Sequence, residues 1–385
     1  MFYKHKEGGF NKRLYRVYQA LANAGHDVHY LACERLPVAH PRIHFHHLRI
    51  PFSRNENILF WMFFAIIAPI SALWVAWRVK PQKIGVFGSW YALFTCLPRL
   101  LFGCPLLVFL RADSVIVYQN ENRHMVARAI NYLLEYLGLK LATHIWVNID
   151  FVRKNIVKRY SISPDRVSLI YNNISRINQR SEVERKAVRT ALGIEPGRFM
   201  VATSGIFYKR KNIDLLIRAF SKSGIAREAT LLIVGDDVSQ SNERLSLEKL
   251  VADCGIGKSV IFTGWRTDSE DLIGASDLFV LPTMHEGFPN ALLDAMGAAC
   301  ACLGSHIDEI KEVLYYDDLL FAIDTDDELA GKLSHAARDP DYLESIRRLT
   351  LERADTFCFD WDAAVVNLFD GWPLSGASKI QLHKP

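Results

Sequence analysis

Short apolar runs of strand length alternate with helical patterns along most of the chain, in two successive series. DVHYLAC, IGVFG, PLLVFLR, HIWVNI and VSLIYNN make up the first; FMVATSG, TLLIVGDD, VIFTGW and DLFVLPT make up the second. Parallel neighbours need a long crossover, usually a helix, and strands covered on both faces read as continuous apolar runs. The pattern therefore predicts an α/β chain with parallel sheets. Between the series the chain turns polar over 176–198, RINQRSEVERKAVRTALGIEPGR, which marks a domain boundary. Two Rossmann-like domains facing across a cleft are expected, 1–185 and 186–355. A length of 385 residues fits two domains, and 50% apolar residues suffice for large cores, which excludes a disordered chain or a single small module. Seven scattered cysteines fit a reducing cytosol better than a disulfide framework.

The first series opens with Gly8-Gly9 and a helical pattern from Lys12 to Ala24, apolar at Leu14, Val17, Tyr18 and Leu21 and closed by Gly25. Only MFYK precedes the turn that holds the glycines, so the first strand is very short or the start is late. Charge divides unevenly. Residues 1–185 hold 25 basic and 11 acidic side chains, whereas 186–385 hold 21 and 31. A basic half attracts a membrane surface, a phosphorylated acceptor or a nucleic acid, unless it is simply a solvated surface. No helix-turn-helix, finger or RNA-binding aromatic signature occurs, so no nucleic-acid partner is expected. No secretory signal is recognised at the N-terminus. The run Ile58 to Trp77, flanked by Arg54 and Arg78, is long enough to span a bilayer, but Pro69 and Ser71 interrupt it and a strand pattern follows directly. It reads as a core or interfacial helix, with a true span as the alternative. Its aromatics, with the basic charge, favour a cytoplasmic leaflet.

Several apparent motifs fail on context. ADCGIGKS has Ala252 where a phosphate loop needs its first glycine, and a helix pattern where it needs a strand. His44, His46 and His47 lack carboxylate or cysteine neighbours at ligand spacing and fit strand alternation. Cys300 and Cys302 sit in an apolar stretch and read as core. No metal site is expected.

The informative stretch is DLFVLPTMHEGFPNALLDA, from Asp277. A buried strand ends at Pro282, a loop delivers Glu286, and Asn290 or a neighbour caps a helix in which Asp294 follows eight residues after Glu286. Ligands of open α/β sheets bind at the carboxyl ends of strands, and a helix N-terminus suits a diphosphate. SGIFYKRKNIDLLIRAF places Lys209, Arg210 and Lys211 just after another strand, where cations can neutralise a leaving diphosphate.

With these pieces in order, the sequence resembles the GT-B glycosyltransferases, specifically glycosyltransferase family 4. Gly8-Gly9 with Arg13 looks like the family's glycine-rich first turn, and SGIFYKRKNID like its basic loop. HEGFPNALLDAMG looks like the E-x7-E motif with Asp at the second acid, and FCFDWDAAV like the closing helix that returns to the first domain within 356–385. The resemblance implies metal-independent, retaining transfer of a hexosyl group from a nucleotide-diphosphate-sugar, with no cofactor because that sugar is a substrate. It makes 1–185 the acceptor-binding, membrane-associated domain and 186–355 the donor domain. By position, Glu286, Lys211 and Arg210 are the catalytic set. Gly9, Gly205, Lys209, Arg266, Gly287, Phe288, Pro289, Asn290 and Asp294 are the donor-binding set, and Arg13 and Arg111 meet acceptor or phosphate. The implied acceptor is a cell-envelope polysaccharide or lipid-linked glycan, at the inner face of the cytoplasmic membrane.

The chain departs from the family at Ile206, where an Arg is usual, at Asp308-Glu309, where the family has Gly-Gly, and at Ala299-Cys300-Ala301, whereas Glu312 matches. These departures motivate an alternative, a catalytically weak paralogue that binds nucleotide-sugar or serves as a partner subunit. A nucleotide-sugar epimerase is a further enzymatic alternative.

Overall fold

The computed structural model describes residues 9–51, 58–110, 125–237 and 242–371, with only the backbone of 9–12 and 126–128. The chain divides into two units, Met1–Tyr171 with Asp360–Pro385, and Asn172–Phe359.

In the first unit, α1 (Gly9–Asn23) leads into β1 (Val28–Ala32) through Gly25 at φ +99°, a left-handed turn that glycine permits. β1 pairs in parallel with β2 (Ile43–His47). The histidines at 44, 46 and 47 lie on β2, with the His29 ring stacked on His44. A four-stranded parallel sheet follows, in the order β3 (Ile84–Phe87), β4 (Leu106–Phe109), β5 (His144–Val147) and β6 (Val167–Leu169). Among the described residues no strand precedes α1, and β1 and β3 both line one cavity of about 690 Å³.

The apolar run forms α2 (Ile58–Val79), with Pro69 inside it. One stripe at a spacing of four, Phe60, Phe64, Ala68, Ala72 and Ala76, is buried; the first four pack with Leu31, Cys33, Leu48 and Ile50 in one core cluster. The other faces expose Ile58, Met62, Ile66, Ile70, Trp74 and Trp77. By length and composition α2 is able to cross a membrane. Two short helices, α3 (Ser89–Phe94) and α4 (Cys96–Phe102), precede β4, and α5 (Met125–Leu141) packs on α3. At their crossing a Cβ on Gly138 would lie 2.1 Å from the Ser89 carbonyl oxygen, so only glycine allows that approach. One turn earlier Glu135 is fully buried, and accepts a 2.9 Å hydrogen bond from the Tyr160 hydroxyl of α6 (Asp150–Tyr160).

The second unit is built on a six-stranded parallel sheet: β7 (Phe199–Ser204), β8 (Ala229–Val234), β9 (Val260–Phe262), β10 (Leu278–Leu281), β11 (Ala301–Ser305) and β12 (Leu320–Phe321). Their order in space is β12-β11-β10-β7-β8-β9. Every residue of β8, β10 and β11 is buried, as a sheet covered on both faces requires.

The units divide between Tyr171 and Asn172, ahead of the polar stretch where the sequence placed the boundary. Much of that stretch is a surface helix of the second unit, α7 (Glu182–Ala191). Its Arg185 and Arg189 each bind Asp277, at 2.7 Å, just before β10. The Ile174 amide donates to the Phe357 carbonyl, also within the second unit. The closing helix α15 (Trp361–Gly371) belongs to the first unit, packed against α1. Trp361 is buried beside Trp146, under the guanidinium of Arg16 at 4.9 Å, while Arg16 binds Asp362 at 2.6 Å.

Burial raises the Glu135 carboxyl to about 7, with the Tyr160 hydroxyl and Arg159 opposing. A carboxyl raised in the folded state binds more protons than in the unfolded chain between its two pKa values. Its contribution therefore falls as pH rises from the ordinary carboxylate value to about 7. Glu135→Gln is expected to be more stable than the parent at alkaline pH, by about 1–3 kcal/mol, with the advantage gone in acid. Thermal unfolding of both proteins across pH checks this; a constant difference at all pH contradicts it.

Candidate active site

The order of the second sheet reverses at one place. From β7 the chain steps outward to β8 and β9, and from β10 it steps the other way to β11 and β12. β7 and β10 are hydrogen-bonded neighbours at this switch point, where ligands of open α/β sheets bind beyond the strands' carboxyl ends. The two segments singled out in the sequence are the segments that leave those two ends.

After β7 the backbone turns at Gly205, φ +148°. The side chain of Lys211 lies against this glycine, with Cε 3.4 Å from where a Cβ would be. A Cβ on Gly235, just past β8, would stand 2.0 Å from the Gly205 carbonyl oxygen. Two glycines thus let adjacent strand ends meet backbone to backbone. Lys209–Lys211 form a single 3₁₀ turn, ended by Asn212 in the left-handed region at φ +54°. Asparagine tolerates that conformation better than most residues. Asn212 is buried and opens α8 (Ile213–Lys222).

After β10, the loop 282–289 brings Glu286 back over the basic turn. Glu286 is 6% exposed, and the Lys211 ammonium binds its Oε1 directly. Arg210 approaches Oε2 at 3.5 Å and donates to the His285 carbonyl at 3.0 Å. Thr283, fully buried, donates from Oγ1 to the Arg210 carbonyl at 3.1 Å, and the Met284 amide donates to the same carbonyl at 2.7 Å. The two loops are one hydrogen-bonded assembly. Lys209 and Arg210 remain exposed, whereas Lys211 is mostly covered by its pairing.

The helix α11 (Asn290–Gly297) starts one residue earlier than a capping Asn290 requires. Pro289 holds the cap position, no side chain caps it, and Asn290 Oδ1 instead accepts 2.7 Å from Asn172 Nδ2. Proline supplies no capping oxygen, so the amides at this end are not taken by a side-chain cap. Gly287 is half-buried, Phe288 and Pro289 are buried, and Asp294 is exposed one turn into the helix.

Lys211, Arg210 and Glu286 come together with Lys209, Gly205 and the 287–290 turn around one switch point. Arg266 does not join them: it follows β9, two strands from β7, and is paired with Asp268 at 2.6 Å. In the other unit Gly9 is the first residue of α1, and the Arg13 guanidinium sits 5.3 Å from the Trp361 ring centre. Arg111 and Gly8 lie outside the described residues. Sequence reasoning missed Thr283, Asn212 and Asn172. The asparagine after a basic run that opens a helix was a readable signal; the other two depend on strand adjacency. Among the described residues no group of three His, Cys, Asp or Glu is placed to hold a metal.

Comparison with known proteins agrees with this architecture. The chain has the GT-B fold: it superimposes on Anabaena HepE in complex with UDP at a TM-score of 0.74, covering 96% of this chain and 97% of that one at 15% identity. WaaG, a glycosyltransferase involved in lipopolysaccharide biosynthesis, gives 0.72 over 96% and 98% at 17% identity. Residues 7–175 match the family model for Glycosyltransferase Family 4, and 198–339 that for Glycosyl transferases group 1. The chain belongs to glycosyltransferase family 4. Among curated relatives it is 30% identical over 236 residues to the lipopolysaccharide core biosynthesis glycosyltransferase LpsD of Rhizobium meliloti, covering 59% of this chain and 66% of LpsD. It is 24% identical over 231 residues to the UDP-Gal:alpha-D-GlcNAc-diphosphoundecaprenol alpha-1,3-galactosyltransferase of Escherichia coli, covering 59% and 56%. The match thus spans less than two thirds of these relatives.

Gly235→Ala is expected to push the end of β8 off the Gly205 carbonyl, shift Lys211 and lower the melting temperature by several degrees, since overpacking against backbone costs about 1–3 kcal/mol. Gly257→Ala, where a Cβ meets nothing within 4 Å, is the control and should melt close to the parent. Equal melting of the two variants contradicts the close approach.

Proposed function

We propose that the chain is a retaining, metal-independent glycosyltransferase that moves a hexosyl group from a nucleotide-diphosphate-sugar to a cell-envelope polysaccharide or lipid-linked glycan. The observation that carries this reading is the Lys211–Glu286 pair at the switch point, with Arg210 beside it and the 287–290 turn alongside. Lys211 is the cation for the leaving diphosphate, and Arg210 and Lys209 add charge at its edge. Preorganised cations of this kind stabilise a leaving group without a metal. Glu286 takes donor sugar hydroxyls, the turn 287–290 takes sugar and phosphate through the amides of Gly287, Phe288 and Asn290, since Pro289 has no N–H, and Asp294 takes the ribose. Family membership and the relatives' names, a lipopolysaccharide core enzyme and a diphosphoundecaprenol-dependent galactosyltransferase, support the acceptor class. UDP in the HepE complex and UDP-Gal in the relative's name favour a uridine diphosphate donor.

The second reading is a weakly catalytic relative that binds the donor. Ile206 favours it, since it supplies no charge beside the diphosphate.

The membrane is the proposed partner of the first unit, on the cytoplasmic face. A helix apolar all round must be covered, yet α2 commits only one stripe to its own unit. Spanning would withdraw Phe60 and Phe64, both fully buried, from that core. An interfacial helix keeps them and still places Trp74 and Trp77 in lipid. The surplus of basic residues over 1–185 suits anionic headgroups.

Glu286→Gln and Lys211→Met are each expected to lower nucleoside diphosphate release from donor by about 10²–10³ while the protein still melts cooperatively. Near-parent turnover in both rejects the site. A thermal-shift series with UDP, GDP, ADP, CMP and UDP-sugars separates the two readings from a non-binding chain, because a ligand of the native state raises its melting point. A shift with turnover supports the transferase, a shift without turnover the weak relative. Trp74→Glu with Trp77→Glu should abolish co-sedimentation with anionic vesicles; equal sedimentation of parent and variant removes α2 from the membrane contact.

A further inference from the structure

Asn172 is the first residue of the second unit and Phe359 is the last, so the chain enters and leaves the unit at these two residues. The segment that follows the entry is tied down along its length. The Asn173 side chain donates from Nδ2 to the Phe359 carbonyl at 3.0 Å, and the Ile174 amide donates to the Phe357 carbonyl at 2.9 Å. Further on, the Asn178 amide donates at 2.7 Å to the carbonyl of Gly297, the last residue of α11. A Cβ on Gly297 would stand 3.1 Å from Ile174 Cγ2, so the missing side chain lets the segment lie close on that helix. Asn172 reaches the opposite end of α11: its Nδ2 donates to Oδ1 of Asn290, the first helical residue, at 2.7 Å. Asn172 is 5% exposed, and its neighbours leave it little freedom to move.

A carboxamide carries one acceptor oxygen and one NH2 group, on separate branches of a single plane. With Oδ1 held by Asn172, the NH2 group of Asn290 is turned away from that partner. Asn290 is half-buried, and its Nδ2 makes no hydrogen bond among the described residues. The pairing therefore occupies the acceptor of Asn290 and leaves two N–H donors open in the 287–290 turn. An ionised diphosphate offers acceptor oxygens only, so this orientation is the one that such a ligand can use. We propose that Asn172 is a positioning residue: it holds the Asn290 carboxamide with its NH2 group toward the nucleotide-sugar, and so orders the donor turn from the point where the chain enters the unit. This rests on the donor-site reading above.

The test is a double-mutant cycle on the full chain, with the Kd for UDP-glucose read by calorimetry and the ligand-free melting temperature read alongside. Asn172→Leu keeps the size and adds no charge, but frees the Asn290 carboxamide to rotate. It is expected to weaken binding about two- to tenfold, the cost of ordering one side chain. Asn290→Ala removes the NH2 group and is expected to weaken binding about tenfold or more. In the Asn290→Ala background Asn172→Leu should change Kd by less than about twofold, because its route to the ligand is gone. Asn173→Leu, which cuts the neighbouring tie to Phe359, should melt lower and bind as the parent does. Parent-like affinity in Asn172→Leu overturns the proposal, as does an undiminished effect of Asn172→Leu beside Asn290→Ala, or an equal loss of affinity in Asn173→Leu. Should Asn172→Leu not fold, Asn290→Ala decides, and parent-like affinity there overturns the proposal. A parent that binds while the cycle shows no coupling leaves the donor site standing; a parent that does not bind UDP-glucose overturns both.

Discussion

The pairing of β7 with β10 is the constraint on which the site depends. It makes two segments, about seventy-five residues apart in the chain, leave the sheet side by side. The cation from one and the carboxylate from the other then meet in a place mostly closed to water. Such a pair is weak evidence for stability, because the cost of desolvating two charges offsets much of their attraction. Its place at the switch point gives it a different reading: a strong cation held ready for a more highly charged anion.

The scaffold around that pair is rigid for identifiable reasons. Gly205 and Gly235 let two strand ends touch, Asn212 takes the left-handed turn that ends the basic loop, and Thr283 stitches that loop to its neighbour. The start of α11 has no side-chain cap, and the Asn290 amide donates to the Phe288 carbonyl at 2.8 Å. The first unit is built by other means, with an apolar helix that buries one stripe and leaves the rest uncovered.

Much of this was legible in the sequence. Parallel sheets follow from strands that are apolar on both faces, and β7, β8 and β10 fall where the runs VATS, LLIV and LFVL place them. Glu286 and Lys211 were readable as chemistry because each sits just past such a run. Their contact was not, since it depends on which strands become neighbours, and periodicity is silent on that. The boundary was placed late because α7 is polar, and polarity reads as a linker; in the structure its arginines clasp Asp277 at the foot of β10. Asn290 or a neighbour was expected to cap this helix; the neighbour Pro289 holds the cap position with no capping side chain, and Asn172 binds the Asn290 side chain. Glu309 was visible only as a mismatch; its burial needed coordinates.

The most direct test of the central claim is a crystal structure of the chain with a bound uridine diphosphate. The claim predicts the diphosphate at the carboxyl ends of β7 and β10, with Lys211 Nζ moved from Glu286 onto a phosphate oxygen and the amides of Gly287, Phe288 and Asn290 turned to the ligand. A diphosphate bound elsewhere, or one that leaves the Lys211–Glu286 contact intact and untouched, contradicts it.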